Sequence, residues 1–218
     1  MNLREQYIKY LELAKKRNKK IIITDIAISK VPRTKVYGFT AEENAKIQAY
    51  HKELLRRAKV QNNSNEVAVV ISRDSKDIKE DVWLYGEESI VGFNNTPAEY
   101  KIRSSTARKL MILHNHPCTQ GYSYSDIALF ANNLSIYGIT IVTNTGETHI
   151  LVKKEMFNYT LYRQFVTMIK EEALNKYSSI NDEKYKLKVV QEIIAKKVID
   201  YADELNLYYR HGGGKNDR

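Results

Sequence analysis

Apolar positions recur every three or four residues near both ends of the chain and close into short unbroken runs in the middle. Leu3, Tyr7, Tyr10 and Leu11 follow the helical spacing, which predicts a helix over residues 3–18. Ile21-Ile22-Ile23-Thr24 is short and β-branched and reads as a strand; Val31-Pro32-Arg33-Thr34 then breaks the pattern. Ala45, Ile47, Tyr50, Leu54, Leu55 and Ala58 form one face of a helix over 41–59, with Thr40 and Glu43 spaced as a capping box. Gln61-Asn62-Asn63-Ser64-Asn65 is a polar break.

The middle is different. Glu66 to Ser72 reads as a buried strand, Asp81 to Tyr85 as a second, and Ser89 to Phe93 as a third beyond a turn at Gly86-Glu87-Glu88. Thr96-Pro97 looks like an N-cap followed by proline at the first helical position, opening a short helix to about Ser104. Leu110 to Leu113 is a strand, and residues 126–134 form a helix for which Ser123 is the expected N-cap. Residues 138–143 and 147–152 pair as a hairpin across Asn144-Thr145-Gly146. The helical period returns over 155–176 and 182–208. These elements predict an α/β (α+β) fold, a mixed β-sheet flanked by helices. The expected divisions are a basic helical extension over 1–61, a central domain over 62–153, C-terminal helices over 154–208 and a disordered tail over 209–218.

The net charge of +9 is uneven. Residues 1–60 hold 15 Lys/Arg against 6 Asp/Glu, while 61–152 hold 7 against 10. A basic flank offers a surface for nucleic acid or acidic protein, although a solvated helix face is the simpler account of it. Cys118 is the single cysteine, so no intrachain disulfide forms and a cytoplasmic setting is expected. No run of 18 apolar residues occurs, so no membrane span is expected.

Chemistry concentrates between Leu113 and Ile127. His114 and His116 stand two apart at the end of a strand and share a face. Asp126, at the start of the next helix, adds a carboxylate. Two histidines and one carboxylate leave a fourth position for water, the construction of a catalytic zinc site, where the pKa of the bound water falls to about 7. Ser123 lies three residues before Asp126 and is the candidate oxyanion donor. Glu66, mounted at the start of a buried strand, is the candidate general base, ahead of Glu87, Glu88 and Glu99 in polar surroundings. A base deaminase would need His-x-Glu and Pro-Cys-x-x-Cys; here the pair is His-x-His and Cys118 has no partner. A Cys118–His116 nucleophilic pair and a turn capped by two imidazoles are the other readings of the stretch. His51, His149 and His211 read as ordinary helix, strand and tail residues.

An upstream glutamate (Glu66), His114-Asn115-His116-Pro117 and Ser123-Tyr124-Ser125-Asp126 together resemble the motif of the JAMM metalloproteases, also called JAB or MPN-plus. The likeness spans residues 66–152, and the order of elements agrees with it. It implies a JAB/MPN-like, cytidine-deaminase-like sheet and zinc held by His114, His116 and Asp126. It implies Glu66 as general acid/base, Ser123 as the group that stabilises the tetrahedral intermediate, and a peptide or isopeptide substrate, often on ubiquitin or a ubiquitin-like protein. The His-Asn-His-Pro form is most similar to the bacterial RadC-like branch. Six residues separate His116 from Ser123, one fewer than the family's usual seven. The segment from Gly38 to Glu66 is similar to JAB-like segments of phage head-morphogenesis proteins. The alternative function is therefore a RadC-like or phage head-associated protein with a nucleic-acid or structural role and a vestigial site.

Overall fold

The computed structural model describes residues 19–73, 80–88 and 91–213. The helix expected over 3–18 lies outside them, as do Ser89, Ile90 and the last five residues of the expected tail. The described elements form a six-stranded mixed sheet with helices on both faces. The strands are β1 (Val67–Ser72), β2 (Val82–Tyr85), β3 (Leu110–His116), β4 (Ile136–Thr143), β5 (Thr148–Lys153) and β6 (Leu207–Gly212). They lie in the order β2-β1-β3-β4-β5-β6. Only β3 and β4 pair in parallel; the other four pairings are antiparallel. The helices are α1 (Asp25–Lys30), α2 (Ala41–Gln61), α3 (Pro97–Ser104), α4 (Tyr124–Asn132), α5 (Tyr159–Lys176) and α6 (Glu183–Asp200).

Local chemistry fixes most boundaries where the sequence places them. Thr40 and Glu43 close the capping box of α2, and Thr96 with Pro97 starts α3. Ser123 and Asp126 close a second capping box on α4. Gly146 turns the β4–β5 hairpin at φ +92°, and a Cβ there would stand 2.4 Å from the Ala27 carbonyl oxygen, so glycine is required twice over.

Four expectations are corrected. Ile21 to Thr24 is not a strand. Ile21 N–H donates to Pro117 O, Ile23 N–H to Ser64 Oγ, and Thr24 caps α1, a helix the sequence pattern did not indicate. Residues 91–93 are not a strand either; the chain turns there, with the Thr96 hydroxyl bonded back to Phe93 O at 2.5 Å. The last helix ends at Asp200 rather than 208. Residues 209–212 belong to β6, not to a tail, because their backbone completes the ladder along β5.

The two sheet faces bury separate cores. On one, Ile47, Leu54, Leu55 and Ala58 of α2 pack on Val67, Val69, Met111 and Leu113. On the other, Ile127 and Phe130 of α4 and Val190, Ile194 and Val198 of α6 pack on Ile112, Ile139 and Leu151. Each fully buried Leu, Ile or Phe contributes about 1.5–3 kcal/mol. The flanks thus supply one half of each core, and β6 comes from the C-terminal segment.

Lys153 on β5 is buried, with its ammonium 4.7 Å above the Phe130 ring, and donates to Asn133 O at the end of α4 (2.7 Å). Burial, helped by the Arg108 charge, pushes its pKa down from 10.5 to about 7. Between those values the unfolded chain binds more protons than the folded one. Stability therefore rises with pH across that window, by at most about 1.4 kcal/mol per pH unit for one proton. Urea melts of Lys153→Met are expected to lack this rise; a wild-type slope in the variant would remove Lys153 as its source.

Candidate metal centre

Register brings the site together. Ala68 on β1 faces His114 on β3, so two further steps along the antiparallel register set Glu66 level with His116. His114 and His116 share the face of Leu110 and Ile112, where α4 packs. The first turn of α4 carries Asp126 to the carboxyl ends of the parallel strands β3 and β4. Sheets of this kind commonly place ligands at that end.

His114 Nε2 and His116 Nε2 are 3.0 Å apart. Asp126 Oδ1 is 3.2 Å from the first and Asp126 Oδ2 is 3.4 Å from the second. Glu66 Oε1 lies 3.8 Å from His114 Nε2. Glu66 and His114 are buried, as is His116. One donor atom each from Glu66, His114 and His116 lies within 4.8 Å of the others, a buried group that could hold a metal ion.

Two carboxylates compete for a place in such a sphere. Bonds of about 2.1 Å to a first-row metal set neighbouring donors roughly 3.0–3.4 Å apart. The contacts among His114, His116 and Asp126 fall in that range; the Glu66 contact at 3.8 Å is longer. Glu66 with the two histidines is one ligand set that could hold an ion, whereas donor spacing favours Asp126 as the third ligand and leaves Glu66 just outside. Donor spacing is the stricter criterion, because bond lengths determine it.

Hydrogen bonds orient the ring and the carboxylate. His116 Nδ1 is 3.0 Å from Gln120 O; with the proton on Nδ1 it donates there, and Nε2 keeps its lone pair for a cation. The Nδ1 of His114 is buried and has no hydrogen-bond partner among the described residues. Asp126 Oδ2 accepts from Ser123 N–H and from the Ser123 hydroxyl, both at 2.7 Å. In this arrangement the single Ser123 hydroxyl proton serves Asp126. The loop between His116 and α4 crosses His149 closely: a Cβ on Gly121 would come within 3.2 Å of the His149 ring.

Electrostatics follow from the crowding. Burial pushes Glu66 above its usual range, with the two histidines opposing. Burial acts against the charge on Asp126 as well, but His114 and His116 outweigh it and hold that carboxyl well below its usual range. For His116 burial is overcome by Asp126 and Glu66, which raise it to about 9. A divalent cation bound here would displace the proton that His116 holds.

The other sequence candidates lie elsewhere. Cys118 is half-buried in the loop after Pro117, and burial raises its thiol pKa. His51 is on the opposite face, 2.7 Å from Thr140 Oγ1. His149 is two strands from His114, bonded to Tyr209 Oη and stacked on His211. Glu87 offers Glu66 only its carbonyl, and Glu99 pairs with Arg103. The pattern missed Asn115 and Asn144, both fully buried beside the cluster. Asn115 had one signal, a polar residue between two histidines on a strand that is otherwise apolar, and Asn144 reads as an ordinary turn residue. A surface depression of about 440 Å³ lies along α5, and none of the four clustered residues lines it.

Compared with known proteins, the chain matches no family model, no curated protein and no solved structure. Among the described residues, no helix is long and apolar enough to cross a membrane.

Proposed function

We propose that the protein is a zinc-dependent hydrolase of the JAMM type, cutting a peptide or isopeptide bond. The observation that carries this reading is the convergence of Glu66, His114, His116 and Asp126 from three separate parts of the chain, with the two histidines and Asp126 at donor spacings suited to one ion and Glu66 just beyond them. The mixed sheet flanked by helices is compatible with a JAB/MPN-like core.

His114, His116 and Asp126 would hold the ion; its chemistry is to acidify a water and to polarise the scissile carbonyl. Glu66 takes the proton of the attacking water. Its buried setting favours proton uptake, and the same carboxyl then passes the proton to the leaving amine. Ser123 orients Asp126 and, by turning its hydroxyl, donates to the developing oxyanion. A protein or ubiquitin-like substrate is the natural class for such a site.

The test is metal analysis with an anomalous scan at the zinc edge, alongside hydrolysis of a fluorogenic peptide pool and a lysine isopeptide. About one zinc per chain, located between His114, His116 and Asp126, is expected. No bound zinc, or no hydrolysis of either probe, contradicts the reading.

A further inference from the structure

The two histidines are separated by Asn115, and the side chain between them points to the other face of the sheet. It is fully buried and its amide is used on both ends. Oδ1 accepts Val67 N–H at 2.7 Å, and Nδ2 donates to Asn65 O at 3.1 Å. Val67 and Asn65 are the two neighbours of Glu66. One side chain therefore grips the peptide groups on either side of it.

The grip falls where the ladder stops. The β1–β3 partners end at Ala68–His114; the next pair would be Val67–Asn115. There the Asn115 amide replaces main-chain pairing, so its length sets how far the strands stand apart at the level of Glu66 and His116. The second Nδ2 proton goes to Asn144 Oδ1 at 2.8 Å, and Asn144 Nδ2 donates to Ile21 O and Ser64 O. Asn144 thus braces Asn115 from the β4–β5 turn. The Glu66 backbone is held by Glu87 O and Gly86 N–H, just past β2, and by Asn62 Nδ2 at the end of α2. Asn115 ties the backbone on either side of Glu66 to the histidine strand.

We propose that Asn115 is a positioning residue that fixes the distance of the Glu66 carboxylate from the metal ligands. The proposal rests on Glu66 being the base rather than a ligand. Shortening this side chain releases Glu66 and leaves His114, His116 and Asp126 where they are, because those three are placed by β3 and the α4 capping box.

The test uses Asn115→Ala and Asn115→Ser in the full chain. Serine retains an acceptor for Val67 N–H and serves if alanine does not fold. Crystal structures of the variants are expected to show the Glu66–His114 separation, 3.8 Å here, lengthened, with the two Nε2 atoms still about 3.0 Å apart. Zinc content stays at the wild-type level, while kcat on the probe peptides falls about 10-fold or more with KM unchanged. On a Glu66→Gln background the same substitution is expected to cost no further kcat. An unmoved Glu66, or an undiminished kcat loss in the double variant, overturns the proposal. A wild-type protein that hydrolyses neither probe brings down the functional reading, and a variant that folds but loses zinc shows that Asn115 serves the ligands instead.

Discussion

Glu66→Gln is expected to lower kcat by about 10²–10⁴ while zinc content remains at the wild-type level. Glutamine keeps the shape of the side chain and cannot take a proton. The measurement also decides between the two arrangements of carboxylates at the site. If Glu66 and the histidines form the ligand set, as close packing permits, the amide weakens the metal site and zinc is lost. If Asp126 is the third ligand, as donor spacing favours, zinc stays and only the chemistry fails. Zinc loss, or activity within twofold of wild type, removes Glu66 from the role of base.

Why the cluster was legible in the sequence, and its support was not, has a physical explanation. His114 and His116 sit two apart on a strand, and Ser123 and Asp126 sit three apart at a helix start. Both spacings are geometry that local sequence dictates. Glu66 was identifiable because a charged residue at the head of Val67-Ala68-Val69-Val70-Ile71 needs a reason to be there. What brings it level with His116 is antiparallel register, a long-range property that no local spacing encodes. Asn115 and Asn144 were invisible for the same reason: their partners are 50 and 80 residues away in sequence. The misread segments were those decided by tertiary pairing. Ile21 to Ile23 has the composition of a strand, but its N–H groups go to a loop carbonyl and a serine hydroxyl. Leu207 to Gly212 sits before a glycine run that signals a tail, but β5 offers an edge that its backbone completes.

His116 should reverse the pH dependence of stability between the metal-free and metal-loaded protein. Without metal its folded pKa is raised from 6.5 to about 9, chiefly by Asp126 acting against burial. A raised histidine pKa gives stability that is complete below about pH 6.5 and is lost as pH climbs through 9. The loss is on the order of 3 kcal/mol for a shift of this size. With zinc bound the imidazole must be neutral, so metal competes with that proton and its stabilisation grows over the same window. The zinc-induced rise in Tm is therefore expected to be small near pH 6 and to increase up to pH 9. Lys153 contributes an opposite slope from about pH 7 upward, so raw wild-type curves can look flat. Subtracting His116→Ala curves removes it, because Lys153 is the same in both proteins. That variant should take up no zinc and should lack the decline of the metal-free wild type. Parallel metal-free curves for wild type and His116→Ala would show that the Asp126–His116 pair does not stabilise the fold, and a variant with normal zinc would dismiss His116 as a ligand.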